Sequence, residues 1–192
     1  MIIHLKSSIG EGQAHEIAKA TESAIFHNGD CFVLVTPSKL KEAPNQYSSM
    51  IEQSWPMDSD IQLASKSYLS ETREITIGNT TIGGRTGNTM VIAGPCSVES
   101  EEQIRESAAL MIELGISGLR GGCYKPRTSP YSFQGLKDEG LKLLREIGDR
   151  NQMNVVTEVM DVESIKKVAE YADILQVGTR NMQNYPLLKG LG

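Results

Sequence analysis

From residue 90 onward, apolar and polar positions alternate in blocks with a steady rhythm. The apolar run 90–93, stopped by Gly94-Pro95, reads as a strand. Residues 97–100 open a helix, with Ser100 and Gln103 spaced as a capping box. Ile104, Ala108, Met111 and Ile112 then form one apolar stripe, and Gly115 closes the helix. Residues 116–120 predict a second strand, and 137–150 a helix with Leu141, Leu144, Arg145 and Ile147 in helical register. A third strand follows at 155–158. Asp161 caps a helix running to about 171, with Ile165, Val168 and Ala169 inward. A fourth strand is expected at 174–177, and Pro186 sits in the first turn of a fourth helix. Strands separated by single helices pair in parallel through right-handed crossovers, so this part of the chain is α/β.

The front of the chain has another pattern. It predicts strands at 2–5, 31–35 and 61–64, the last extending toward 69. Helices are expected at 11–27, ended by Asn28-Gly29, and at 39–53. That βαβαβ-like order suggests a small α+β domain. Residues 74–84 alternate around Gly78-Asn79 and predict a hairpin that covers one end of the following domain. The domains are therefore placed at 1–70 and 71–192. No internal repeat or low-complexity tract interrupts either.

With 192 residues the chain is long enough to bury a core. A net charge of −5 with no dense basic block argues against a nucleic-acid role. No apolar stretch approaches membrane-spanning length, and the apolar start at 1–6 lacks a signal peptide's h-region and cleavage site. Three cysteines cannot all pair and have no zinc spacing, which suits a cytoplasmic chain with reduced thiols.

The candidate chemistry falls just after strand ends: Cys96, Arg120 with Lys125, Glu158 and Arg180. In parallel sheets and (β/α)₈ barrels the carboxyl ends of the strands are where ligands bind. The long loop from Gly121 to Gly135 holds Lys125 and Arg127 around two prolines, and such loops often bind ligands. Arg offers two parallel donors and Lys a point charge to phosphate and carboxylate oxygens. Spacing alone allows a plainer reading, a solvated loop whose cations touch nothing. Cys96 alone reads as a small core residue, Arg180 as a helix cap and Glu158 as a partner for a nearby cation. Cys123 reads as incidental. The histidines, His4, His15 and His27, all lie in the front segment, away from these residues.

Four stretches carry a resemblance: Ile92-Ala93-Gly94-Pro95-Cys96-Ser97-Val98-Glu99; Leu119-Arg120-Gly121-Gly122 with Tyr124 to Gly135; Val156-Thr157-Glu158; and Gln176-Val177-Gly178 with Arg180-Asn181. From about residue 75 to 192 the chain resembles the 3-deoxy-D-arabino-heptulosonate 7-phosphate (DAHP) synthases. The Lys125-Pro126-Arg127-Thr128 loop separates these from related 8-phosphooctulosonate synthases, and the front domain looks like the ferredoxin-like regulatory domain of one subfamily.

The resemblance implies condensation of phosphoenolpyruvate with erythrose 4-phosphate on a (β/α)₈ barrel, the first step of the shikimate pathway. It implies a divalent metal (manganese, iron, zinc or cobalt) with Cys96 as a ligand. Arg120, Lys125 and Arg180 would hold the phosphate and carboxylate of phosphoenolpyruvate, Arg127 and Thr128 the phosphosugar, and Glu158 would lie at the reacting centre. A homo-oligomer and an aromatic amino acid effector are also implied. Residues 90–192 suffice for about four βα units, so the expectation is the first part of a longer enzyme, inactive as it stands. The alternatives are a half-barrel completed by a partner, or a non-catalytic module that binds phosphorylated ligands or senses an aromatic amino acid.

Overall fold

The computed structural model describes residues Met1–Gly192, and the chain divides into a unit of residues 1–72 and a unit of residues 73–192.

In the first unit, strand β1 (Ile2–Leu5) is followed by helix α1 (Glu11–Ala20), strands β2 (Ala24–Asn28) and β3 (Cys31–Val35), a 3-10 turn (Asn45–Met50) and β4 (Ile51–Trp55). The strands form one sheet in the order β2-β3-β1-β4, every neighbouring pair antiparallel. One face packs Ile3, Leu5 and Leu34 against Ala14, Ile17 and Ala18 of α1, while Ile2 and Val33 on the other face pack with Met57.

Three expectations for this unit are corrected. The helix expected to reach residue 27 ends at Ala20, because Thr21 Oγ1 turns back onto the Ile17 carbonyl at 2.7 Å and Glu22 takes a left-handed φ of 51°. The chain beyond it is β2, joined to β3 through Gly29 at φ 61°. The helix expected at 39–53 does not form, since Pro44, which lacks the N–H and would clash with the preceding turn of a helix, stands extended ahead of the 3-10 turn instead. Residues 61–69 are turns rather than a strand, with the Ser65 and Leu69 amides bonded to the carbonyls of Gln62 and Ser65.

The second unit begins with the hairpin β5 (Glu74–Ile77) and β6 (Thr80–Gly83), turned at Gly78-Asn79. Four strands follow, each pair separated by one helix: β7 (Ile92–Ala93), α2 (Glu101–Glu113), β8 (Gly118–Arg120), α3 (Lys137–Arg150), β9 (Asn154–Glu158), α4 (Ile165–Ala169) and β10 (Ile174–Gln176). A 3-10 turn (Thr179–Asn181) and α5 (Tyr185–Leu191) complete it. The four strands are parallel in the order β10-β9-β8-β7. The hairpin meets the amino ends of the strands: Thr80 Oγ1 lies 3.5 Å from Ser117 Oγ, and Gly78 abuts the Asn154 side chain.

Local rules explain these boundaries. Ser100 Oγ accepts the Gln103 amide at 3.2 Å and Gln103 Oε1 accepts the Glu99 amide at 3.0 Å, closing the first turn of α2. Gly115 ends that helix at φ 70°. Asp161 Oδ1 accepts the Ser164 amide ahead of α4. The core gathers Ile104, Ala108 and Met111 of α2 with Leu119, Leu141, Leu144, Ile147, Val155, Val168 and Leu187. Ile112 and Ala169, expected inward, are exposed, because each lies one residue past the stripe of its helix.

Candidate active site

The turn leaving β7 is set by a close backbone approach. Gly94 has φ 140°, and a Cβ there would lie 2.0 Å from the Arg120 carbonyl oxygen, so the chain passes over the end of β8. The Pro95 carbonyl thereby accepts from Arg120 Nη1 at 3.2 Å, and the exposed Cys96 stands at the carboxyl end of the sheet. Arg120 Nε donates to Gln176 Oε1 at 3.3 Å, which joins β8 to β10 across β9.

The loop after β8 is anchored at its start by Thr157. Its Oγ1 donates to the Gly121 carbonyl at 2.6 Å and accepts the Cys123 amide at 3.4 Å, both in the buried interior. The Lys125 amide donates to the Gln134 carbonyl at 3.0 Å, closing the loop at its neck. From that neck Lys125 Nζ reaches back to the Cys96 carbonyl oxygen at 2.8 Å and to Cys96 Sγ at 3.2 Å. Gly122 leaves the room, since a Cβ there would be 3.2 Å from Lys125 Nζ and 2.7 Å from the Cys96 carbonyl oxygen. The hydrogen bond and charge of Lys125 hold the Cys96 thiol below its ordinary pKa, with a smaller contribution from Arg120.

On the other side, Arg180 in the 3-10 turn after β10 donates from Nη1 to the Pro126 carbonyl at 3.0 Å, tying the loop to that strand end. Arg127 Nε donates to the Phe133 carbonyl at 3.3 Å within the loop. Glu158, at the end of β9, is 8 % exposed and packs its carboxylate onto Gly178.

Cys96, Lys125, Arg127, Glu158 and Arg180 line one cleft of about 580 Å³, together with Pro126, Gln176, Gly178 and Thr179. Arg120 stands beside it through its bond to Gln176, whereas Thr128 is on the exposed part of the loop and does not line it. Three cations against one carboxylate give the cleft lining a net positive charge. Sequence reasoning had given no part to Gln176, Thr157 or Gly178. Their only signal was membership of the stretches at the ends of β9 and β10.

Toward a divalent metal, these residues supply one donor. Cys96 offers a thiol held toward thiolate, but no three His, Cys, Asp or Glu side chains come together here, and a metal site of this kind needs about three or four protein donors. Cys123, by contrast, is fully buried, and burial pushes its thiol up to about 11. None of the three cysteines forms a disulfide, and no helix is long and apolar enough to cross a membrane.

Residues 65–192 match the DAHP synthetase I family. Over 131 residues the chain is 51% identical to a phospho-2-dehydro-3-deoxyheptonate aldolase of Thermotoga maritima, covering 68% of this chain and 38% of that protein. A 2-dehydro-3-deoxyphosphooctonate aldolase of Fusobacterium nucleatum is 34% identical over 116 residues, 57% of this chain and 41% of the relative. The crystal structure of the Thermotoga maritima phospho-2-dehydro-3-deoxyheptonate aldolase (DAHP synthase) superposes with a TM-score of 0.64 at 37% identity, covering 98% of this chain and 57% of that one. The chain thus spans about two fifths of the length of the curated relatives it matches.

Proposed function

This chain belongs to the DAHP synthetase I family, and we propose that its cleft binds the anionic substrates of a DAHP synthase, which joins phosphoenolpyruvate, erythrose 4-phosphate and water to give DAHP and inorganic phosphate. The observation that carries this reading is the convergence of Lys125 and Arg127, from the loop after β8, with Arg180, from the turn after β10, on one cleft of about 580 Å³.

The chemistry follows from these groups. Lys125 and Arg180, with Arg120 behind them, neutralise the phosphate and carboxylate of phosphoenolpyruvate, and Arg127 takes the phosphate of the sugar. Holding two anions so that the enol carbon faces the aldehyde carbon supplies roughly 7–11 kcal/mol when the geometry is near attack. Glu158 places a buried carboxylate beside the reacting carbons, where it orients water or receives a proton. Cys96 would give one thiolate to a divalent metal, which would supply polarisation of the aldehyde carbonyl.

The architecture supports the finer reading of the fold. Four parallel strands separated by helices are what the first four units of a (β/α)₈ barrel would present, and β7 and β10, the outer strands, are where further units of this polypeptide or a partner would pair. In the front unit, the order β2-β3-β1-β4 with antiparallel neighbours supports reading it as a ferredoxin-like domain whose second helix is reduced to a 3-10 turn. We read that unit as a regulatory domain that takes an aromatic amino acid, in a cytoplasmic homo-oligomer.

Calorimetric titration of the chain with phosphoenolpyruvate tests the proposal. We expect saturable binding that Lys125→Met and Arg180→Met each weaken at least tenfold. Absence of binding by the wild-type chain, with and without Mn²⁺, would overturn it.

A further inference from the structure

Tyr124 and Lys125 are neighbours at the neck of the loop, yet their side chains serve different places. Lys125 reaches Cys96 in the cleft, while the Tyr124 hydroxyl donates to Asp138 Oδ1 in the first turn of α3. The other oxygen of that carboxylate, Oδ2, accepts the Lys167 ammonium from α4. Each oxygen of Asp138 therefore has its own donor, and the chain phenol–carboxylate–ammonium joins the loop to two helices.

The backbone around this point has little freedom of its own. The Lys137 amide donates to the Cys123 carbonyl at 2.8 Å, and Gly135, at φ 87°, leaves no room for a Cβ, which would fall 2.0 Å from the same oxygen. The Tyr124 ring packs against the core of the second unit, and its hydroxyl makes the only side-chain hydrogen bond from the loop to α3. Beyond the neck, the ties on the tip are internal ones, such as Gln134 to the Ser129 and Ser132 carbonyls, together with the Arg180 bond to Pro126.

We propose that Tyr124, Asp138 and Lys167 are positioning residues for Lys125: they pin the neck of the loop to α3 and α4 and so hold the ammonium over Cys96, where it meets the substrate's phosphate or carboxylate. The inference rests on the reading of Lys125 as an anion holder. Its physical content is the lever: the ammonium sits at the end of a flexible four-carbon stem, so its place depends on where the backbone of residue 125 is fixed. A displacement of about 1 Å in such a group can cost about a hundredfold in rate.

Two measurements on Tyr124→Phe, Lys167→Met, Lys167→Arg and the reference Lys125→Met test it. The first is the rate of Cys96 alkylation by iodoacetamide at one neutral pH, mapped by mass spectrometry. It reads the Lys125–Cys96 contact whether or not any substrate binds. The second is phosphoenolpyruvate affinity by calorimetry. We expect Tyr124→Phe and Lys167→Met to slow alkylation several-fold toward the Lys125→Met rate, and Lys167→Arg to restore it. Phosphoenolpyruvate affinity should fall about three- to tenfold in the same two variants. Wild-type alkylation rates in Tyr124→Phe and Lys167→Met, whatever happens to their melting temperatures, overturn the inference, as does an unchanged rate in Lys125→Met. The expected alkylation pattern without phosphoenolpyruvate binding by the wild type supports the positioning and overturns the proposed function instead.

Discussion

A Cβ on Gly178 would lie 2.0 Å from Oε1 of Glu158 and 2.7 Å from its Cδ. The end of β10 is thus pressed against the carboxylate at the end of β9, and the absence of a side chain at residue 178 is what lets Glu158 sit where it does. Gly178→Ala should expel the carboxylate from that seat. Because the group that yields is the far end of a flexible side chain bordering the cleft, the cost should fall below the about 1–3 kcal/mol of overpacking a closed core. The double variant Glu158→Ala/Gly178→Ala should lose most of that penalty, since the clash is with the carboxylate alone. Urea unfolding of the four proteins measures the cycle, and additivity of the two substitutions would exclude the clash as the cause.

Gly94 presents a harder case. The atom facing its missing Cβ is the Arg120 carbonyl oxygen, 2.0 Å away, and its φ of 140° lies in a region that side chains rarely adopt. A flexible side chain can swing aside; a strand backbone cannot. Gly94→Ala should therefore cost about 3 kcal/mol or more, combining backbone strain with overpacking. It should also release Arg120 Nη1 from the Pro95 carbonyl and so weaken phosphoenolpyruvate binding. A urea midpoint within error of wild type would contradict this account of the turn.

Thr157 is the buried pivot of the loop. Its hydroxyl donates to the Gly121 carbonyl and accepts the Cys123 amide, and the residue is wholly inaccessible. Thr157→Val keeps the shape and removes both bonds, leaving the buried Cys123 amide without a partner and the Gly121 carbonyl with only the Cys123 thiol at 3.8 Å. The expected loss is about 1–3 kcal/mol. Thr157→Ser should recover most of it, because the hydroxyl returns and only a methyl group is missing. Equal losses in Val and Ser would assign the effect to packing instead.

The second unit was readable from sequence because its signals are local and repeat. Gly94-Pro95 is by its residue types a strand stop, while Ser100 and Gln103 cap a helix and Gly115 ends it through contacts within a few residues. The front unit was not, because its outcome depends on pairing. The segment 24–28 carries Ile25 and Phe26 in a stretch that helical periodicity also fits, and becomes a strand by pairing with β3. Residues 51–55 likewise join the sheet only through β1. At the site, the cations and Cys96 stood out by residue type and position after strand ends. What the sequence could not express was the mutual geometry: that Lys125 reaches back over 29 residues to Cys96, or that Gln176 holds Arg120 from two strands away.

Cys123 gives the pH prediction with the clearest sign. Burial raises its thiol from an ordinary 9.0 to about 11 in the folded chain, a change only partly offset by its hydrogen bond to Thr157. Between those values the native state keeps its proton while the unfolded chain loses it. The native state then binds more protons, so stability falls as pH rises from about 9 to about 11, by up to about 2–3 kcal/mol. Other groups titrate in the same range, and comparison with Cys123→Ala cancels them. The wild type should exceed the variant in unfolding free energy at pH 8, and that margin should shrink by about 2–3 kcal/mol by pH 11. Cys123 should also stay unreactive toward iodoacetamide in the native chain at neutral pH, while Cys96 is alkylated. A margin that stays constant from pH 8 to 11 would mean that the thiol titrates alike in both states, and that its burial imposes no penalty on the thiolate.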